Sequence, residues 1–218
     1  MWTVEQKMKI NQKKTKTMLF NFTHNYQFMT RLSLNGEFVE VVPETRLLGT
    51  IITNDLTWNS NTANIVRRAN ARMVLLRKLA EFKAPITDLK TIYISYIRSV
   101  LEQSAVVWHS SLTEENISDL SRVQKTACKV ILGERYQNYE KALEVLDIER
   151  LNDRREKLCK TFAKRSIKNG TLHFEEINKL NYMTTRNTDK YKVTHCNTER
   201  LKKSALPQMQ RSLNSIED

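Results

Sequence analysis

The side chains able to do covalent or metal chemistry in this chain are spaced so that most such chemistry is excluded. His24, His109, His173 and His195 are scattered, and none has a carboxylate or cysteine at metal-ligand spacing. His195 and Cys196 are adjacent, which is not a zinc-finger interval. There is no phosphate-cradling G-x-x-x-x-G-K-[ST] loop, no G-x-G-x-x-G turn and no G-x-S-x-G nucleophile elbow. No two aspartates are adjacent, so the paired carboxylates that could hold two magnesium ions are missing. Asp55, within Asn54-Asp55-Leu56, reads as a turn or cap residue, because an aspartate readily closes a turn on its own backbone. Cys128, Cys159 and Cys196 are odd in number and lie more than thirty residues apart, so no disulfide framework is expected. Cys128 and Cys159 have apolar neighbours and read as buried free thiols, which fits a reducing, intracellular setting.

Positive charge is what remains. Lys and Arg number 36 against 24 Asp and Glu, a net charge of +12. Such a balance suits nucleic acid or an anionic membrane surface. Five lysines (7, 9, 13, 14 and 16) face one acid, Glu5, in the first sixteen residues. Of these, Lys13, Lys14 and Lys16 adjoin an apolar β-prone stretch that would fix them in place. Arg67, Arg68 and Arg72 form a second group. Their guanidinium forks could track a phosphate backbone, or they could be a solvated helix face with ordinary ion pairs. Trp58 and Trp108 stand at element boundaries; packing is the preferred reading over stacking on a base. No apolar run approaches a membrane span, and lysines interrupt the segment from Met8 to Phe20, so no signal-peptide core is read there.

The elements that must position these cations are legible from pattern. Only 4 Gly and 3 Pro occur, which disfavours a loop-rich all-β fold. Thr17 to Phe22 is apolar and β-prone. Arg31–Leu34 and Glu37–Val42 flank Asn35-Gly36, a strong hairpin signal, and Pro43 ends the second strand. Leu47 to Thr53 reads as a further strand with Gly49 inside it, where another backbone or a ligand would approach closely.

From about Asn59 to Lys168 the pattern is helical. Ile65, Ala69, Met73, Leu76 and Ala80 line one face, with Arg67, Arg68, Arg72, Arg77 and Lys78 off it or at its edge. After Pro85, the positions Leu89, Ile92, Tyr93, Tyr96, Ile97, Val100 and Leu101 make the clearest helical stripe, with both tyrosines expected in the core. Thr113 is the expected N-cap of the next helix and Gly133 its C-cap. A short helix spans roughly Tyr139 to Leu146. A charged one follows, with Leu151, Leu158, Phe162 and Ala163 as its apolar stripe and Asn169-Gly170 as its end. Residues 171–218 are expected to be a partly ordered tail with one or two short helices, such as Thr198 to Ser204.

Read in order, four blocks resemble the C-terminal part of reverse transcriptases from non-LTR (LINE-type, jockey- and CR1-like) retrotransposons. They are MKINQKKTKTMLFNF, LLGTIITNDLTWNSN, YISYIRSVLEQSAVVWHSSLT and the long segment from Arg122 to Asn169. The resemblance covers about residues 2–168. It implies that Met8, Ile10, Asn11, Lys14 and Thr15 match the lysine-containing motif at the end of the polymerase palm. Leu48 and Gly49 would match the turn that grips the primer end. The helices after Trp58 would be the thumb, with Arg67, Arg68 and Arg72 facing the template–primer backbone. Trp108, Arg122 to Lys125 and Arg154-Arg155-Glu156 match a post-thumb helical region to which the resemblance assigns no role. Asn61 stands where the family has His, and Gln103 where it has Tyr.

The expected fold class is therefore α+β, mostly α. A short N-terminal strand and hairpin region, a palm remnant (1–57), precedes a thumb-like helical bundle (58–168) and a polar tail (169–218). The expected function is that of a fragment of an RNA-directed DNA polymerase. It would keep template–primer-binding elements and lack the catalytic aspartates. Magnesium would be held by an upstream part, so no cofactor is expected on this chain and it should not polymerise alone. The expected partner is an RNA–DNA or RNA template–primer duplex, not a membrane. Two alternatives stay open: a non-catalytic nucleic-acid-binding protein derived from such an element, and a helical protein-interaction scaffold.

Overall fold

The computed structural model describes residues 7, 10–22, 31–175 and 190–215. Lys9, Met8 and His24, named above, lie outside the described residues, as do parts of the tail. The fold is mostly helical with a few short N-terminal strands, an α+β chain dominated by α. It divides into two compact units, Met1–Asn61 and Thr62–Asp218, with the division inside the first turn of the first long helix.

Among its described residues the first unit contains three two-stranded sheets. Strand β1 (Lys16–Thr17) pairs in parallel with β4 (Glu40–Val41). The expected strand from Thr17 to Phe22 is thus only its first residue. The Val42 N–H still donates to the Thr17 carbonyl at 2.9 Å, but the next residue of the partner is Pro43, which has no N–H to give. Strands β2 (Ser33–Leu34) and β3 (Glu37–Phe38) form the expected hairpin. Asn35 (φ 52°) and Gly36 (φ 85°) both adopt the left-handed region that a tight primed turn demands. The segment expected to run on to Val42 divides at Val39, whose N–H still donates across the hairpin to the Leu32 carbonyl at 2.9 Å, and resumes as β4.

The expected strand from Leu47 to Thr53 is corrected. It is the second half of an antiparallel hairpin, β5 (Glu44–Leu47) with β6 (Thr50–Thr53), reversed at Leu48-Gly49. Gly49 has φ 87° and Leu48 has φ 49°, so the glycine serves a turn and not a close approach within a strand. Asn61, buried, closes the unit: its Oδ1 accepts the Ile51 N–H at 3.1 Å.

The second unit is helical. Helix α1 (Asn59–Glu81) contributes Ile65, Ala69, Met73 and Leu76 to its core, as the periodicity requires. Helix α2 (Ile86–Ile92), begun after Pro85, continues through a π-helical segment, Tyr93–Arg98, into a last turn, Ser99–Leu101. Leu89, Tyr93, Ile97, Val100 and Leu101 are buried, but Tyr96 is 41% exposed, against expectation. A π turn advances each residue by less than an α turn, so a stripe drawn at the α period drifts off the buried face. Helix α3 (Ala105–Trp108) is a single turn.

Helix α4 (Glu114–Leu132) starts where expected: the Asn116 N–H donates to the Thr113 hydroxyl at 3.2 Å, and Gly133 caps the far end. Helix α5 (Tyr139–Leu146) is capped by Asn138, whose Oδ1 accepts from the Lys141 N–H at 2.9 Å. In α6 (Leu151–Lys168), Leu151 and Ala163 are buried as expected. Phe162 is 41% exposed, and Arg155 takes a fully buried position instead.

The tail holds the expected short helix, α7 (Glu199–Lys203), N-capped by Thr198. It also holds α8 (Ala205–Asn214), which packs against α6 and α3 and buries Pro207 and Met209. Pro207 sits in the first turn, where a missing N–H costs nothing.

Candidate nucleic-acid interface

The N-terminal lysines are presented by a 3-10 turn, Gln12–Lys14, closed by Asn11. The Lys14 N–H donates to the Asn11 carbonyl at 3.1 Å and to its Oδ1 at 3.2 Å, and the Thr15 hydroxyl donates to the same carbonyl at 2.9 Å. Lys13 and Lys14 are exposed, and neither has an ion-pair partner among the described residues. Lys16 differs. Paired through β1 with Glu40, it forms an exposed ion pair with that carboxylate at 3.2 Å. An exposed pair of this kind contributes little and leaves the lysine available to a competing anion.

Leu48 stands at the tip of the β5–β6 hairpin and is 89% exposed. Its left-handed backbone brings Cβ too near a carbonyl oxygen, at a cost of about 1–2 kcal/mol for a non-glycine residue. An asparagine there would relieve that strain and form the Asn-Gly pair found at Asn35-Gly36. The hairpin instead carries an apolar side chain into solvent at a position where local preferences are against it. Below it, Asp55 closes the turn into α1, accepting the Thr57 N–H at 3.0 Å. Hydrogen bonds from Thr53 and Thr57 hold its carboxyl below the usual range. This is the turn role expected of it.

The three arginines of α1 do not form one face. Residues 68 and 72 lie about 40° apart around an α-helix, whereas residue 67 is about 100° or more from either. Arg67, exposed, reaches Asn64 Oδ1 at 3.1 Å. Arg68, half-buried, donates to Gln103 Oε1 at 2.9 Å. Arg72 donates to the Tyr96 carbonyl and lies over the Tyr96 ring, 4.4 Å from its centroid. Arg68 and Arg72 thus fasten α1 to the α2 segment as well as adding charge. Gln103, where the resembled family has Tyr, supplies one of those fastenings.

The helices from α4 to α6 are joined by buried polar contacts. Gln124 is fully buried and joins three helices. Its Oε1 accepts from the Tyr139 hydroxyl at 2.7 Å and the Leu151 N–H at 2.8 Å, and its Nε2 donates to the Glu149 carbonyl at 2.9 Å. Burial raises the Tyr139 hydroxyl well above its ordinary pKa, so it stays a donor. Trp108, also fully buried, donates Nε1–H to the Gln103 carbonyl at 3.0 Å, so packing is its role.

Arg155 lies over the Trp108 ring, 5.5 Å from the centroid, and its guanidinium nitrogens make no hydrogen bond within the described residues. Burial lowers its pKa to about 10, against some support from Glu102. Its neighbour Arg154 donates Nε–H to Glu102 at 2.6 Å, and Arg98 lies 3.5 Å from the same carboxylate. His109 is held down at a pKa of about 4, first by burial and then by Arg155. No signal in one sequence marks Gln124 or Arg155 as interior; both look like polar positions of charged helices.

No family model matches this chain, and no curated protein or solved structure matches it either.

No group of three His, Cys, Asp or Glu residues able to hold a metal ion occurs among the described residues. Burial pushes the Cys128 and Cys159 thiols up to about 11, which keeps them as unreactive thiols. Cys159 is only half-buried, short of the full burial expected. No described helix is long and apolar enough to cross a membrane.

Proposed function

We propose that this chain binds a nucleic-acid template–primer duplex without sequence preference, as the palm-end and thumb elements of a non-LTR retrotransposon reverse transcriptase. The observation that supports the reading best is the β5–β6 hairpin tip. Leu48 is strained and almost wholly exposed at the position that, by resemblance, grips the primer end. Strain retained at an exposed site is a reason to suspect function. The net charge of +12 and the exposed Lys13 and Lys14 on a fixed turn add an electrostatic footprint. With no paired aspartates in its 218 residues, the chain would need carboxylates from elsewhere to hold two metal ions and polymerise.

The test is titration of the purified chain against a labelled RNA–DNA hybrid at several salt concentrations. Counterion release makes affinity fall by about tenfold or more between about 50 and 200 mM salt when several phosphates are contacted. Leu48→Asn should weaken binding to a recessed primer end while leaving binding to a blunt duplex unchanged. Affinity independent of salt, or no affinity at low salt, would refute the proposal and favour a protein-interaction scaffold.

A further inference from the structure

The charges of α6 divide into two halves. Around the first half, each cation except the buried Arg155 has a carboxylate. Arg154 pairs with Glu102 at 2.6 Å, Lys160 with Glu156 at 2.8 Å, Lys157 with Glu149, and Arg150, just before the helix, with Glu140. In the second half, Lys164, Arg165 and Lys168 are exposed and have no acidic partner among the described residues. The nearest described acid downstream, Glu175, is taken by Lys192 at 3.0 Å. Compensation by the helix dipole can account for a cation in the last turn. It does not account for three cations beside a half-helix that is otherwise neutralised.

Their placement is directional. Lys164 and Lys168 stand at i and i+4, about 6 Å apart on a helix rising about 1.5 Å per residue, on one stripe with Thr161 and the paired Lys157. Arg165 flanks that stripe. The face opposite carries the buried Arg155, Ala163 and Ser166, so the stripe points away from the bundle. One strand of a duplex presents a phosphate about every 3.4 Å of axis, so the three unpaired cations span about two or three of them. A membrane surface is the poorer fit. An interfacial helix needs a broad apolar face beside its cations, and that of α6 is used inside the bundle.

We propose that the second half of α6, through Lys164, Arg165 and Lys168, is a further contact with the phosphate backbone of a bound nucleic acid, separate from the palm-end lysines and the α1 arginines. The assignment rests on the nucleic-acid reading given above and adds a surface to it. The three cations hold the duplex by charge alone, without reading sequence.

The experiment compares three full-length proteins on the same RNA–DNA hybrid across a salt series: wild type, Lys164→Gln/Arg165→Gln/Lys168→Gln, and a control with equal charge loss. The control is Arg122→Gln/Lys125→Gln/Lys129→Gln. Its cations are already engaged, by Asp119 at 3.1 Å and by the rings of Tyr139 and Tyr136. Circular dichroism establishes that each variant is folded. The α6 variant should bind at least about tenfold more weakly, and its log–log salt slope should shrink by about 2–3, one for each phosphate no longer neutralised. The control should change by less than half as much in both measures. Equal losses in both variants, or no loss in the α6 variant, would overturn the α6 contact and leave duplex binding standing. A wild-type protein that ignores the hybrid would overturn the nucleic-acid reading itself, and the α6 contact with it. Wild-type binding to phosphatidylserine vesicles in place of the hybrid would do the same, and would assign the stripe to a membrane surface.

Discussion

Replacing Arg155 by methionine should stabilise the helical unit. A guanidinium with no accessible surface and no hydrogen bond among the described residues is a charge removed from water with little in return. Burial lowers its pKa from 12.5 to about 10 against support from Glu102, which has the sign of that penalty. That fall corresponds to about 3 kcal/mol in favour of the unfolded, hydrated ion. Stacking over Trp108 offsets it by about 1–2 kcal/mol when desolvated, and that attraction disappears with the charge. Methionine has nearly the volume of the arginine stem and keeps most of the packing on the ring. The expected net gain is therefore about 1 kcal/mol, or about 2–4 °C in midpoint for a chain of this size. Arg155→Ala should instead lose about 1–3 kcal/mol, since the cavity it opens beside Trp108 outweighs the relief of the charge. Urea unfolding followed by circular dichroism at pH 7 measures both changes. The His109 resonance gives an independent check. With the cation gone its pKa should rise above about 4 but stay below 6.5, because burial is the larger cause. A loss of more than about 2 kcal/mol in the methionine variant would refute the reasoning. It would mean that the guanidinium is held by interactions stronger than the stack and Glu102.

Gln124→Leu should destabilise by about 2–4 kcal/mol, because it strands the Tyr139 hydroxyl, the Leu151 N–H and the Glu149 carbonyl together; thermal unfolding tests it. His109 makes stability pH-dependent in a known direction. Its unfolded pKa of 6.5 exceeds the folded value of about 4, so the unfolded chain binds more protons between those values. Stability should be flat from this group above pH 7 and fall between about pH 6.5 and 4, by about 1–2 kcal/mol after allowance for partial exposure. His109→Gln should remove that slope. Leu48→Asn should stabilise the first unit by about 0.5–1 kcal/mol by relieving the left-handed leucine. Hydrogen exchange at residues 44–53 would report it as slower amides.

How far the sequence discloses this structure depends on how local each determinant is. Asn35-Gly36, Thr113, Gly133 and Asn169-Gly170 act through their own backbone and nearest neighbours, so residue type alone locates the turn or helix end. The reversal at Leu48-Gly49 is hidden because a leucine occupies a position that favours asparagine, and the run around it is apolar enough to pass for one strand. Tyr96 falls outside the expected core because periodicity assumes one helical pitch, and the π segment changes it midway. Arg155 and Gln124 are hidden for another reason. A buried polar residue is specified by partners far along the chain, and no short window of sequence contains them. Met209 and the tail helix α8 likewise depend on α6 and α3 for their burial.

The α1 arginines show why stability and binding must be separated before either is assigned. Arg68 and Arg72 reach Gln103 and Tyr96, so exchanging them for glutamate would reverse charge and cut the fastening between helices at once. A loss of binding in such a variant would prove nothing about phosphates. Lysine at both positions keeps the charge but has no planar fork for Gln103 and stacks less well on Tyr96. If the two arginines act mainly as fasteners, the double lysine variant loses stability and keeps its salt slope. If they also contact phosphate as guanidiniums, the affinity falls more than the stability loss can explain. Arg67, on a different face and exposed, separates the cases. Its change to glutamine should cost little stability, so any fall in affinity there reads directly as a phosphate left without its cation.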